Sequence, residues 1–198
     1  MNSLLKTSLL GLALVSTASI ASNFSGPEAG VSVAMNGGFT TLTAENKDTS
    51  FGEPSLGISL HGGYGLAISN DKVVLLGLNY NATEVAAGTL VDESVRIKNS
   101  WSLSAAPGIL LNDKTLAYVK LSYEAGKLIG GSSGDSDEES ISGYGYGAGL
   151  RTEINKTTFL QTEIKQVNYK KFNYKQGSNS YDFTPSATVG SVGVVFKF

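Results

Sequence analysis

Ser59 and His61 stand two residues apart in the stretch LGISLHGGYG, and a serine beside a histidine is the smallest set that can do nucleophilic catalysis. That chemistry needs the base within hydrogen-bond reach of the hydroxyl and a third group orienting the base. In an extended chain the two side chains share one face, and no third group is evident, so His61 reads as a buried histidine and no catalytic residue is assigned. A second candidate is GYGYGAGLRTEI, residues 143–154. A phosphate-cradling dinucleotide loop needs G-x-G-x-x-G opening a helix. Here Gly143, Gly145, Gly147 and Gly149 alternate strictly and no helical pattern follows. Metal chemistry finds little support: the chain has no Cys and one His, and the acidic run Asp135, Asp137, Glu138, Glu139 lacks the ligand spacing of a calcium loop. No metal and no cofactor is expected. What remains is a set of ionisable residues, Arg96, Lys98, Lys120, Glu124, Arg151, Glu153, Glu163 and Lys165, whose meaning depends on the elements that carry them.

Those elements are strands. In residues 143–154, Tyr144, Tyr146, Ala148, Leu150, Thr152 and Ile154 oppose the four glycines, Arg151 and Glu153, which is the strand period of two. The same alternation runs through residues 31–41, 56–68, 74–81, 96–105, 117–126, 158–165 and 191–198, giving eight strands. Short Asn- and Asp-rich turns follow strands two, four and six, at residues 69–72, 112–115 and 155–156. Longer polar links follow strands one, three, five and seven, at 43–54, 83–94, 130–140 and 170–182. The result is an antiparallel up-and-down meander with its tight turns at one end.

Composition narrows the setting. The 198-residue length suits one domain, charged residues are 16% of the chain against roughly 25% in soluble domains, and the formal net charge of −2 gives no reason to expect nucleic acid as a partner. The first 21 residues read as a secretory signal peptide: Lys6, an apolar run over residues 9–15, and Ser19-Ile20-Ala21 as a small-x-small cleavage site, with Ser22 the mature start. Residues 22–198 would then form an exported barrel domain.

One face of the strands carries Leu, Val, Ile, Tyr and Phe; the other carries Gly, Ser, Asn and scattered charges. Eight strands close around an interior just wide enough for side chains, and a bilayer offers the backbone no partners, so a spanning sheet must close. Apolar-out, polar-in alternation then predicts an all-β, eight-stranded transmembrane barrel with a polar lumen. The eight ionisable residues above are expected to line that lumen as an ion-pair network, with Arg151 and Glu153 facing Glu163 and Lys165 across a tight turn. Phe39, Tyr80, Trp101, Tyr123, Tyr144 and Tyr146 are expected in one interfacial aromatic girdle, Phe196 and Phe198 in the other.

The signal peptide, the hairpin GYGYGAGLRTEINKTTFLQTEIKQVNY and the terminal VGSVGVVFKF together resemble the small outer-membrane barrels of Gram-negative bacteria: the OmpA transmembrane domain, the OmpX/Ail group and the opacity-like porin-family proteins. The resemblance covers the whole mature chain. It implies residence in the outer membrane among lipids and lipopolysaccharide, a monomer, and recognition of the strand ending in Phe198 by the barrel-insertion machinery. Pro107 departs from the pattern, since it lies within strand four without an N–H for the ladder.

Three classes of function are compatible with these observations. The preferred one is a non-enzymatic barrel with a plugged lumen, whose exposed loops meet lipopolysaccharide or a host surface in an adhesin-like or envelope-structural role. Lys170, Lys171 and Lys175, interleaved with aromatics, are the candidate contacts with anionic headgroups or an extracellular partner. The alternatives are a narrow porin-like channel for ions or small solutes, and a periplasmic barrel binding an apolar ligand inside.

Overall fold

A computed structural model describes residues 20–44, 47–90, 93–130, 137–176 and 179–198. All but the last two residues of the expected signal peptide, and residues 131–136 of the acidic link, lie outside the described residues.

After a 3-10 segment at Ile20–Phe24 come ten strand segments: β1 Gly26–Ala44, β2 Lys47–Ala67, β3 Lys72–Asn81, β4 Val85–Leu90, β5 Glu93–Asn112, β6 Thr115–Gly130, β7 Asp137–Asn155, β8 Thr158–Tyr169, β9 Phe172–Gln176 and β10 Asn179–Lys197. They form eight staves. β3 and β4 are consecutive pieces of one stave, both paired with β5, and β8 and β9 are both paired with β10. Every pairing is antiparallel between chain neighbours, and β1 pairs with β10 from Glu28↔Lys197 to Thr43↔Asp182, which closes the cylinder.

The tight turns are built by their own side chains. Asn112 Oδ1 accepts from the Lys114 amide at 2.9 Å, Asn155 Oδ1 from the Thr157 amide at 3.0 Å, and Ser69 Oγ donates to Asp71 at 2.7 Å. These local bonds mimic a backbone turn, which is why Asn and Asp end the strands there.

The other end differs from the sequence expectation. The stretches read as long polar links are mostly strand: β1 and β2 stay paired to Ala44↔Lys47, and the links at 83–94 and 170–182 contain β4 and β9. A spanning strand needs about 9–11 residues, whereas β1 has 19 and β5 has 20, so the hairpins project beyond a bilayer. Polar residues at those strand ends hid the pairing. β4 also leaves the line of its stave. Thr40 Oγ1 donates to the Ala87 carbonyl at 2.6 Å and the Ala86 amide donates to Ser55 Oγ at 3.1 Å, which draws β4 against the inner surface of β1 and β2.

Pro107 is accommodated in β5 opposite Val74, while the pairs recorded with β6 pass from Ala105↔Leu121 directly to Gly108↔Tyr118. The alternation resumes in phase beyond it.

The faces segregate as an inside-out protein requires. Leu121 is 67% exposed and its neighbour Ser122 is 8% exposed. Among the described residues, twenty-eight large apolar side chains point outward around the cylinder, far more than water-soluble monomers leave uncovered.

Candidate functional site: the lumen and the outer rim

Among the described residues, three buried cation–carboxylate pairs fill the middle of the lumen. Lys120 on β6 meets Glu163 on β8, and Glu163 also accepts from the Tyr118 hydroxyl at 2.9 Å. Lys165 on β8 reaches Glu124 on β6 at 2.8 Å, where Ser122 Oγ also donates at 2.6 Å. Arg151 on β7 grips Glu28 on β1 through two bonds of 2.5 and 3.0 Å, and donates to Gln161 Oε1 at 3.0 Å through Nε and 2.6 Å through Nη2. Charges taken out of water must be paired and hydrogen-bonded; here three cations meet three carboxylates and each carboxylate has a further donor or a forked partner.

The alternating glycines of β7 have their reason here. The first two pairs join strands that flank β7, so their side chains must cross it. A Cβ at Gly145 would lie 2.5 Å from Ser122 Oγ and 3.0 Å from Glu124 Oε1, and one at Gly149 would strike the Tyr118 phenol. The missing side chains are the space in which the neighbours' ions meet.

The remaining polar void is a cavity of about 70 Å³, lined among others by Asn36, Ser59, His61, Asn79 and Asn81. A cavity of that size has room for a few ordered waters. The Ser59 hydroxyl pairs with Ser32 Oγ at 2.6 Å, and His61 Nε2 is a buried nitrogen without a hydrogen-bond partner. The serine and histidine therefore share a face without sharing a proton.

Apolar clusters close both ends. At the turn end Ala21 and Phe24 of the 3-10 segment pack with Val73, Leu116, Phe159 and Val195, and the Phe24 and Phe159 rings lie 5.2 Å apart. At the other end Val85 and Ala87 of β4 pack with Ile97, Leu128 and Ile141. A purely polar interior was expected, and these two stoppers were not legible as such, because each includes residues lying outside the alternating strand cores.

Two members expected in the lumen lie elsewhere. The β5–β6 register shifts by one residue between Lys98 and Trp101, at Asn99, whose φ is +49°. This bulge inverts the alternation upstream of it. Ile97 turns inward at 2% exposure, while Arg96 and Lys98 turn outward, Arg96 toward Glu84 at 3.5 Å. Glu153 also stands apart from Glu163 and Lys165: it accepts from Asn23 at 3.2 Å near the turn end. Arg151 faces Gln161 in register and takes Glu28 as its ion partner. Glu28 lies before the alternation that starts at Val31 in the sequence, and the inward series Ser32, Gly30, Glu28 continues that alternation toward the turn end.

All eight expected girdle residues point outward. Tyr80 pairs with Trp101 across β3–β5, and Tyr123 with Tyr144 across β6–β7, so these four make one row; the Trp101 and Tyr123 rings are 5.9 Å apart. Phe196 and Phe198 lie by the tight turns, where the Lys197 amide bonds to Thr157 and the Phe198 amide to Pro27. Lys170 is exposed, Lys171 pairs with Asp182 at 2.5 Å, and the side chain of Lys175 lies outside those described. Beyond the aromatic row, Lys98 stands directly opposite Lys127, and Glu138 accepts from both, at 2.5 Å from Lys98 and 2.7 Å from Lys127. Its bonds to Lys127 and Lys98 hold the Glu138 carboxyl down at about 2.

A closed cylinder with an apolar outer belt and an ion-paired lumen defines a transmembrane β-barrel. The chain belongs to the outer membrane protein beta-barrel domain family, whose pattern matches residues 7–198, and it resides in the Gram-negative outer membrane. Its fold is similar to that of Ail, the attachment invasion locus protein of Yersinia pestis, at 18% identity and a TM-score of 0.51 over 87% of this chain and 99% of that one. Ail in complex with the heparin analogue sucrose octasulfate is similar at 17% identity and a TM-score of 0.50, over 87% of this chain and 99% of that one. Neisserial surface protein A is similar at 13% identity and a TM-score of 0.50, over 85% of this chain and 97% of that one. No curated protein matches the chain in sequence.

Proposed function

We propose that this protein is a non-enzymatic, monomeric outer-membrane barrel that works through its outer surface: its projecting hairpins and loops contact lipopolysaccharide or a host surface, and its lumen does not conduct. The observation that carries this reading is the occlusion of the lumen, with an apolar cluster at each end, three neutralised ion pairs between them and about 70 Å³ of polar void. Function is then left to the projecting part, where Lys170, Lys171 and Lys175 are the expected contacts. Binding of a polysulfated heparin analogue by the similarly folded Ail supports a polyanion as the kind of partner. The orientation follows from the same reading: tight turns in the periplasm, hairpins outside, a cleaved signal peptide, and Phe198 offered to the insertion machinery.

Planar-bilayer recording of the folded protein tests it. No steady single-channel steps are expected. Reproducible steps of fixed amplitude would overturn the plugged reading in favour of a narrow channel for ions or small solutes.

A further inference from the structure

The geometry points to a specific seat on the outer wall: Lys98 and Lys127, above the Trp101–Tyr123 pair, form a cradle for the phosphate of a phosphorylated glycolipid of the outer leaflet, a cradle that Glu138 fills from within the chain. The inference rests on the membrane-resident reading above and adds to it the site and the chemistry.

The cradle is a product of the bulge at Asn99. Without it Lys98 would point into the lumen. With it, Lys98 lies outside and in direct register with Lys127. Like charges directly opposite each other in an antiparallel pair are unfavourable, so this arrangement asks for an anion between them. Glu138 supplies one, a carboxylate oxygen to each lysine. A two-oxygen anion already seated across both ammonium groups shows the chemistry that the pair accepts. A phosphate monoester brings more charge and more acceptor oxygens than a carboxylate, so it competes for the same seat.

The surroundings fit a lipid better than a soluble anion. Directly below the lysines, Tyr80, Asn99, Trp101 and Tyr123 line a depression of about 680 Å³ in the outer wall, which also reaches Lys127 and Ser142. Such aromatics sit at headgroup level in a membrane. Beneath them Leu103 and Leu121, 59% and 67% exposed, continue the apolar wall that acyl chains would cover. Phosphate above, sugar in the aromatic depression and acyl chains below match the layered chemistry of one molecule.

The test is binding of fluorescent lipid A to the folded full chain in detergent micelles, with inorganic phosphate and dephosphorylated lipid A as further probes. The Lys98→Ala/Lys127→Ala variant is expected to lose about tenfold or more in affinity. Glu138→Gln is expected to gain several-fold, because it vacates the seat; a purely structural clamp would give no gain. Lys170→Ala/Lys171→Ala is expected to leave this binding unchanged. Dephosphorylated lipid A is expected to bind weakly, and inorganic phosphate to compete only at far higher concentration. Unchanged affinity in the double lysine variant, no gain in Glu138→Gln, equal binding without the phosphates, or inorganic phosphate binding as tightly as lipid A would each overturn the seat. Boil-dependent gel mobility, read on every sample, separates this from the broader reading. A wild-type chain whose mobility does not change on boiling would sink the membrane barrel itself, whereas folded variants that bind alike sink only the cradle.

Discussion

Arg151 and Glu28 are 123 positions apart in the chain, yet their side chains meet fork to fork, at 2.5 and 3.0 Å, with both nearly inaccessible to solvent. β7 and β1 are not neighbours in the sheet, so this pair ties opposite parts of the wall through the lumen. Removing one partner of such a pair leaves a buried charge uncompensated, at a cost of about 3–5 kcal/mol. Arg151→Met is therefore expected to lower the unfolding midpoint in urea sharply, whereas the Arg151→Met/Glu28→Met double variant should recover most of the loss. Equal destabilisation by the single and double variants would contradict the account.

The orientation of the wall is open to a direct measurement. A nitroxide at Leu121 should be relaxed by lipid-soluble oxygen, and one at Ser122 should be shielded from it, since the two side chains are 67% and 8% exposed on opposite faces. The reverse pattern would turn the barrel outside in.

The Phe24 ring is 2% exposed and stoppers the turn end against Phe159. Phe24→Ala is expected to cost about 3 kcal/mol or more, as large-to-small changes in filled cores do. Urea titration in micelles measures it, and a change under about 1 kcal/mol would mean that the segment does not seat in the barrel mouth.

Acid should release the rim clamp. The Glu138 carboxyl is lowered from 4.5 to about 2 by Lys127 and Lys98. A carboxyl lowered on folding stabilises the folded form fully above its ordinary value, and that contribution is lost as pH falls from about 4.5 toward 2. Proteolysis of the projecting β6–β7 hairpin should therefore rise across this window in the wild type and show no such step in Glu138→Gln. A step retained in that variant would place the titration elsewhere.

Much of this was legible in the chain because a strand writes its two faces as a local period. Leu121 beside Ser122, or Tyr144 beside Gly145, needs no knowledge of distant contacts. What escaped depends on events that break or outrun that period. One inserted residue at Asn99 reversed the parity of Arg96 and Lys98, and nothing in IKNSW distinguishes a bulge from a straight run. Arg151 and Glu153 take other partners than Glu163 and Lys165, namely Glu28 and Asn23, because register across staves is not written in any one of them. β4 is short and flanked by Thr83-Glu84 and Asp92-Glu93, so it reads as part of a polar link, though its first three residues, Val85-Ala86-Ala87, are buried.

The pairing of β1 with β10 carries a consequence for biogenesis. A nascent chain that has not yet delivered its last stave has two raw edges and no way to satisfy either in a hydrocarbon phase. Closure of the cylinder therefore depends on the last stave. Any truncation within β10 is expected to yield a chain that is exported and then degraded, leaving no partly working product.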